Sequence, residues 1–562
     1  NDPGKLSERL AALFGAMATG GDFGADEILW FNGGLFADSE VIELRPAEIE
    51  ELIRVNEHDW ADVEPSIFGT LFERTLDPAK RSQIGAHYTS REDILTLLEP
   101  VVMAPLRREW QEVRGECDKR WEKVKKAPSG AARRGPTKPR RDFERPLRDF
   151  LERLAHVRIL DPACGSGNFL YVAIILLMDL EKEVIAYGAA HGVGLLPHVR
   201  PTQLAGLEIN PYAQQLAQVV IWIGYLQWMH HNGFAAPRDP VLEPIESIRL
   251  MDAILDLSDP ENPKEPEWPE ADFIVGNPPF LGGRNTTSAL GEVYKQYLTT
   301  QWSDVPASAD LCTYFFRQGF RLLCASGYLG MIATNTISQG TTREGGLERI
   351  VQEGGQIVYA VNSMNWPGMA AVVVSIIHVC RSRFQVQPSL DGSLVQNISP
   401  LLSSGELAYS APEKLSASMN KSFQGCITRG TGFILEPEEA LQLLDSPYNR
   451  EIIFPYLIGK DFTTHPEQAP SRYVINFGER ALEEAMSFPE CMSIVRSRVY
   501  EYRQTVKTKK VRENWWLFEH RAPALFSAIE GLDRVLIRSR VSNKHAVAFV
   551  SKEMIYSDAT VV

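Results

Sequence analysis

The sequence lacks any uninterrupted apolar run of the roughly 18–20 residues that a membrane helix requires, so no membrane span and no membrane partner are expected. Its opening segment lacks the basic-then-apolar layout of a secretory signal. It starts at Asn1 rather than Met, so a preceding stretch is expected. Cysteine is scarce: seven residues, at 117, 164, 312, 324, 380, 426 and 491, stand singly, without a C-x-x-C pair or a histidine at ligand spacing. That excludes a disulfide framework, implies no metal site, and fits a reducing cytoplasm. An excess of positive charge is also missing, the net charge being −14. Total charge bears on solubility more than on any local groove, so a polyanionic partner is not excluded.

The positive charge that is present falls in two clusters. One spans 119–145 through KVKKAPSGAARRGPTKPRR and reads as a basic, flexible, solvated insertion, given its Pro, Gly and Ala. The other, Arg496 to Arg521, interleaves Arg and Lys with Tyr500, Tyr502, Trp515, Trp516 and Phe518. It reads equally as a binding surface or as a charged helix followed by core aromatics.

Residues 1–95 read as a helical N-terminal region, with Leu6, Leu10, Leu13 and Met17 at helical spacing. Another helix is expected from Glu99 to about Gln111. From Val157 strands and helices alternate: VRIL, then the helix NFLYVAIILLMDLEKEVIAYG, the strand QLAGLEIN, the helix PYAQQLAQVVIWIGYLQWMHH, and the strands IESIRLMDA and ADFIVGNPPF. The amphipathic helix LCTYFFRQGFRLLCASG, the strand GYLGMIATN, the short helix GLERIVQEG and the strand AAVVVSIIHVCR follow. Alternation of this kind predicts an α/β fold with a parallel sheet covered on both faces, binding its ligand at the carboxyl ends of the strands. The expected sheet domain is 96–383. Residues 384–562, richer in Pro, Ser and Tyr, read as a separate domain.

The chemistry-bearing residues fall at those strand ends. Asp161-Pro-Ala-Cys-Gly-Ser-Gly167 follows a strand and opens a helix. Gly165 and Gly167 can adopt backbone angles closed to other residues and admit a ligand close to the main chain. G-x-G-x-x-G is absent, and Asp161 in the turn would repel phosphate while suiting an ammonium group. Glu208 ends the second strand, where a carboxylate can accept from both ribose hydroxyls. Asp252 ends the third and can accept from a nucleobase amino group. Gly276-Asn277-Pro278-Pro279-Phe280 follows the apolar strand FIV. Its two prolines supply no N–H donors, so carbonyls are presented as acceptors. The Asn277 amide oxygen and the Pro278 carbonyl can accept both hydrogens of an amino group and orient its lone pair, while Phe280 stacks on the base. No general base of shifted pKa is needed, because the attacking atom is a neutral amine.

Together these motifs resemble the N6-adenine-specific DNA methyltransferase family, whose signatures are the D-P-A-C-G-S-G and N-P-P-[FYW] turns. Gly85-Ala-His-Tyr-Thr-Ser-Arg91 is similar to the family's cofactor-flanking Tyr-Thr-Pro segment, with Ser90 where proline is usual. The order of flanking segment, cofactor turn, catalytic turn and C-terminal recognition domain matches the gamma arrangement. The resemblance covers about residues 60–383. It implies a Rossmann-like class I methyltransferase sheet followed by a C-terminal α+β target-recognition domain, S-adenosylmethionine as the sole cofactor, and double-stranded DNA as partner, the target adenine being flipped out of the helix. By the resemblance, His87, Tyr88, Thr89, Asp161, Ala163, Gly165, Gly167, Asn168, Phe169, Glu208, Ile209, Asp252, Ala253 and Asn277 hold the cofactor. Asn277, Pro278, Pro279 and Phe280 hold the adenine. The helical N-terminus and the stretch Trp60 to Glu73 resemble type IIG/IIL restriction–modification enzymes or methylases of DISARM- and BREX-like antiphage systems, with a nuclease or helicase partner and a bacterial or archaeal cytoplasm implied. Methylation of RNA or of a protein glutamine, and a recognition subunit gating a partner nuclease, are the alternatives. Phe454-Pro-Tyr-Leu-Ile-Gly-Lys-Asp461 resembles a recurrent segment of target-recognition domains.

Overall fold

The apolar runs read as strands meet in one nine-stranded sheet, which lies in the first of two compact units, Asn1–Tyr409 and Ser410–Val562. The structure is a computed structural model. It describes all residues except 1–2, 29–35, 37–39, 58–62, 68, 70–88, 127–136, 235–244, 260–261, 367–371, 382–386, 406–414, 507 and 543–544.

Helices α1 (Pro3–Thr19) and α2 (Pro46–Asn56) flank a small hairpin of β1 (Gly21–Phe23) and β2 (Asp26–Ile28). After them α3 (Arg91–Leu98) runs through a π-helical turn into α4 (Ala104–Lys125), which packs against α5 (Lys138–Ala155) with Trp121 on Phe143, ring centroids 4.9 Å apart. The sheet is built from β3 (Ile159–Asp161), β4 (Leu204–Glu208), β5 (Ile248–Leu250), β6 (Phe273–Gly276), β7 (Tyr328–Thr334), β8 (Gln356–Asn365), β9 (Val373–Cys380), β10 (Ser389–Leu390) and β11 (Ser393–Leu394). Helices α6 (Asn168–Ala190) and α7 (Pro211–His231) are the first two crossovers. Between β6 and β7 come α8 (Thr286–Leu290), α9 (Glu292–Gln301) and α10 (Cys312–Leu322).

The strand order is β11-β10-β8-β9-β7-β6-β3-β4-β5. Strands β3 to β7 pair in parallel, and β9 is inserted antiparallel between β7 and β8. This is the expected Rossmann-like sheet. From β3 the chain moves outward to β4 and β5, then returns to the other side of β3 for β6. A crevice therefore opens at the carboxyl ends of β3 and β6. Core lies on both faces: β6 is buried along its whole length, which is why it reads FIVG without alternation.

Helix α7 lies against α6 through Gly224, where an added Cβ would stand 2.1 Å from the Tyr171 ring. Gly224→Ala is therefore expected to destabilise the chain by about 1–3 kcal/mol, read from denaturant unfolding. Among the described residues no helix is long and apolar enough to cross a membrane.

Two expectations meet a different arrangement. In the basic stretch 119–145, residues to Lys125 continue α4 and residues from Lys138 belong to α5, with 127–136 outside the described residues. Phe143, Leu147, Phe150, Leu151 and Leu154 form a buried stripe on α5, so Arg141, Arg145 and Arg148 are its solvated face, whereas Arg140 donates to the His191 and Gly192 carbonyls. Near residue 383 the chain does not leave the sheet, because β10 pairs in parallel with β8 and β11 with β10. The division falls after Tyr409.

The second unit is α+β. One sheet has the order β12 (Ile434–Leu435), β14 (Arg472–Ile475), β13 (Ile453–Leu457), β17 (Ile555–Tyr556). The other has β16 (Ala548–Ser551), β15 (Arg534–Ser539), β18 (Thr560–Val561). In the second basic cluster, Trp515, Trp516 and Phe518 are core residues, whereas Tyr500 and Tyr502 are exposed on the helix Pro489–Gln504. Arg503 is fully buried over the Phe433 ring and donates to the Thr428 carbonyl at 2.6 Å. Much of this cluster is therefore architecture. The segment Phe454 to Asp461 is β13 followed by a helical turn, in which the Asp461 carboxylate accepts from Ser471 N–H at 3.0 Å.

Candidate active site

The turn after β3 is shaped by its two glycines. Gly165 has φ 52° and Gly167 φ 82°, both in the left-handed region that glycine enters without steric cost. Gly167 is the N-cap of α6, and its missing Cβ lets Ala217 of α7 approach within 3.0 Å of where that atom would be. Asp161 lies beneath the turn, 1% exposed. Its Oδ1 accepts from Ala163 N–H at 3.0 Å, and its Oδ2 is buried without a hydrogen-bond partner among the described residues. Burial pushes this carboxyl up to about 8, with the Ala163 N–H opposing and the Glu208 charge adding to the rise.

Glu208, at the tip of β4, reaches back to the same turn. Its Oε2 accepts from Gly165 N–H at 2.9 Å and its Oε1 from Asn210 N–H at 2.8 Å. Asp252 stands two residues beyond β5, where Oδ1 accepts from Ile254 N–H at 2.7 Å, Leu255 N–H at 3.1 Å and the Tyr294 hydroxyl at 3.2 Å. Burial raises both carboxyls above their ordinary range.

The corner after β6 closes the crevice from the other side. Gly276 passes so near Asp161 that a Cβ would stand 2.4 Å from Oδ1. Asn277 follows. Its Nδ2 donates to the Thr89 hydroxyl at 3.3 Å, while its Oδ1 is buried and accepts from nothing among the described residues. Thr89 itself is positioned because Ser90 caps α3, its hydroxyl accepting from Asp93 N–H at 3.2 Å. Proline at 90 could not make that cap. Thr89, Gly165, Glu208, Asp252 and Asn277 all line one cavity of about 470 Å³.

Residues 137–389 match the family described as MmeI, DNA-methyltransferase domain. That stretch is similar to the DNA-methyltransferase domain of that family. It is 25% identical over 409 residues to DNA methyltransferase A of Bacillus subtilis (strain 168), covering 68% of this chain and 42% of that protein. The chain thus spans about two fifths of the length of that relative. Its fold is similar to that of the type IIL restriction–modification enzyme MmeI solved in complex with DNA, with TM-score 0.78 and 21% identity over 99% of this chain and 74% of that one.

The cavity suits S-adenosylmethionine. It offers a glycine turn open to a ligand, a carboxylate at the tip of β4 and another in the turn after β5, and beneath them the Asp161 Oδ2, unpartnered among the described residues and able to attract a cation. Of the residues singled out in the sequence, Thr89, Ala163, Gly165, Asn168, Phe169 and Glu208 line the wall, as do Ile209, Asp252, Ala253, Asn277 and Pro279. Asp161 and Gly167 support it from behind. Pro278 is buried and Phe280 packs, partly buried, on the neighbouring core, so these two stand outside the wall. His87 and Tyr88 lie outside the described residues, as does most of Trp60 to Glu73. Met251, Leu281 and Tyr294 also line the cavity and were not singled out. Met251 and Leu281 are apolar and Tyr294 is a lone phenol, so none carries a motif, and only nearness to Asp252 or to the catalytic corner in sequence pointed to any of them.

Proposed function

We propose that this chain is a site-specific DNA methyltransferase acting on the exocyclic N6 amino group of an adenine in double-stranded DNA, in a restriction–modification or antiphage setting in a bacterial or archaeal cytoplasm. One observation carries the reading: the Asn277 amide oxygen is buried, lacks a donor among the described residues, and belongs to the same cavity as the glycine turn. An unmade hydrogen bond of this kind costs roughly 1–3 kcal/mol, so the amide is set for a donor that arrives with a ligand. An exocyclic amino group is such a donor.

Glu208 and Asp252 would hold the ribose and purine ends of S-adenosylmethionine, and Asp161 its ammonium end. That cofactor, when bound, supplies an electrophilic methyl group. Thr89 fixes the Asn277 side chain so that its oxygen accepts one amino hydrogen, and the Pro278 carbonyl accepts the other. With both hydrogens engaged, the nitrogen lone pair is free to face the methyl. Pro278 and Pro279 lack N–H groups, so the corner offers no backbone donor to compete. An amino group inside a duplex cannot reach such a site, so the adenine is extruded.

The test is incubation of the chain with methyl-labelled S-adenosylmethionine and unmethylated DNA, followed by nucleoside analysis. Label in N6-methyladenine is expected. Label only on RNA or protein, or DNA-dependent stimulation of a partner nuclease with no label at all, would overturn the reading.

A further inference from the structure

Asp252 has more partners than a simple acceptor needs. Its Oδ1 already receives two main-chain N–H groups, from Ile254 and Leu255, which fix the turn after β5. The chain just beyond is pinned again by the Trp268 indole, which donates to the Ala253 carbonyl at 2.7 Å. A third donor, the Tyr294 hydroxyl, comes from α9, which follows the catalytic corner in the chain. A carboxylate oxygen offers two lone-pair directions, so three donors fill Oδ1 and leave Oδ2 as the oxygen available to a ligand. Tyr294 is only 6% exposed, and it lines the cavity alongside Asp252. Lys295 anchors its helix through the Gly283 carbonyl at 3.1 Å.

We infer that Tyr294 is a positioning residue that makes the cofactor's purine pocket selective for an amino-bearing over an oxo-bearing purine, by holding Asp252 with Oδ1 occupied and Oδ2 left to accept. The inference rests on the cofactor reading above and adds to it the source of base selectivity. A 6-amino purine donates to Oδ2. A 6-oxo purine presents an acceptor to an acceptor and is repelled, unless the carboxyl turns or takes up a proton. The Tyr294 hydroxyl opposes both, because its hydrogen bond fixes the rotamer and favours the ionised form. A buried phenol also needs an acceptor for its own sake, so the decisive readout is selectivity and not stability.

The experiment compares binding of S-adenosylhomocysteine with that of S-inosylhomocysteine, by calorimetry, to the wild-type chain and to Tyr294→Phe, which keeps the ring and removes only the hydroxyl. Melting of the cofactor-free proteins serves as the fold control. Wild type is expected to prefer the amino purine by at least about a hundredfold. In Tyr294→Phe that preference is expected to fall by about tenfold through weaker S-adenosylhomocysteine binding, with KM for the methyl donor raised and kcat changed less than about twofold. An unchanged preference ratio, or equal weakening toward both nucleosides, would overturn the role of Tyr294. Failure of the wild-type chain to bind either nucleoside would overturn the cofactor reading itself, a distinct result.

Discussion

Replacing Asn277 by alanine is expected to slow methyl transfer by about 10²–10³-fold while S-adenosylhomocysteine affinity changes less than about threefold. Asn277 donates through Nδ2 to the Thr89 hydroxyl, and its oxygen accepts from nothing among the described residues. Its removal leaves the glycine turn, Glu208 and Asp252 in place, so the cofactor side keeps its contacts. What is lost is the acceptor that fixes the incoming amino group, a contact worth most as positive charge develops on the nitrogen. Single-turnover kinetics with saturating DNA would show the loss in the chemical step. A loss confined to KM for DNA would assign Asn277 to ground-state binding instead.

The second large effect is a dependence on pH. In the cofactor-free chain the Asp161 carboxyl sits near 8, raised from its ordinary 3.8, chiefly by burial. The folded chain therefore holds a proton that the unfolded chain has already released above about pH 4. The stability this contributes is complete below that value and is lost as pH rises through about 8. A cationic cofactor reverses the preference by favouring the ionised acid. Between about pH 6 and 8 its affinity should rise by up to about tenfold per pH unit, with release of one proton, measurable by calorimetry in buffers of different ionisation heat. Asp161→Asn should remove the slope, stabilise the cofactor-free protein at pH 8, and weaken cofactor binding by about tenfold or more. Flat pH dependence in the wild type would show that this carboxyl does not face the cation. Glu208 and Cys164, whose burial also raises them, are the titratable neighbours that any fit must include.

The sheet was legible where strand and partner helix both announce themselves. QLAGLEIN, GYLGMIATN and AAVVVSIIHVCR each contain a strand of the structure, and VRIL and FIV overlap one, because a sheet covered on both faces demands continuous apolar runs. Strand β8, QIVYAVNSMN, mixes polar residues into its run, pairs with β9 through two irregularities of register, and carries no such signal. Helix α5 was hidden by its arginines, although the spacing of Phe143, Leu147 and Leu151 was available. Of the site, the glycine turn, Glu208 and Asn277 were readable, because their chemistry restricts which residue types can serve. Tyr294 was not, since a phenol contributed by a helix of an insertion has no fixed distance from the acid it steadies. Asp252 was placed at a strand end but stands two residues past it, in a turn tied down by its own side chain.

Glu208 has a consequence for anyone hoping to retarget this domain to an altered nucleoside donor. The acid positioned to greet the ribose is also a brace, joining the amide of Gly165 to that of Asn210. Trimming it to admit a bulkier sugar would loosen the glycine turn as well, so new donor preferences are better sought in the apolar walls, at Met251 or Leu281, whose side chains brace no main-chain amide.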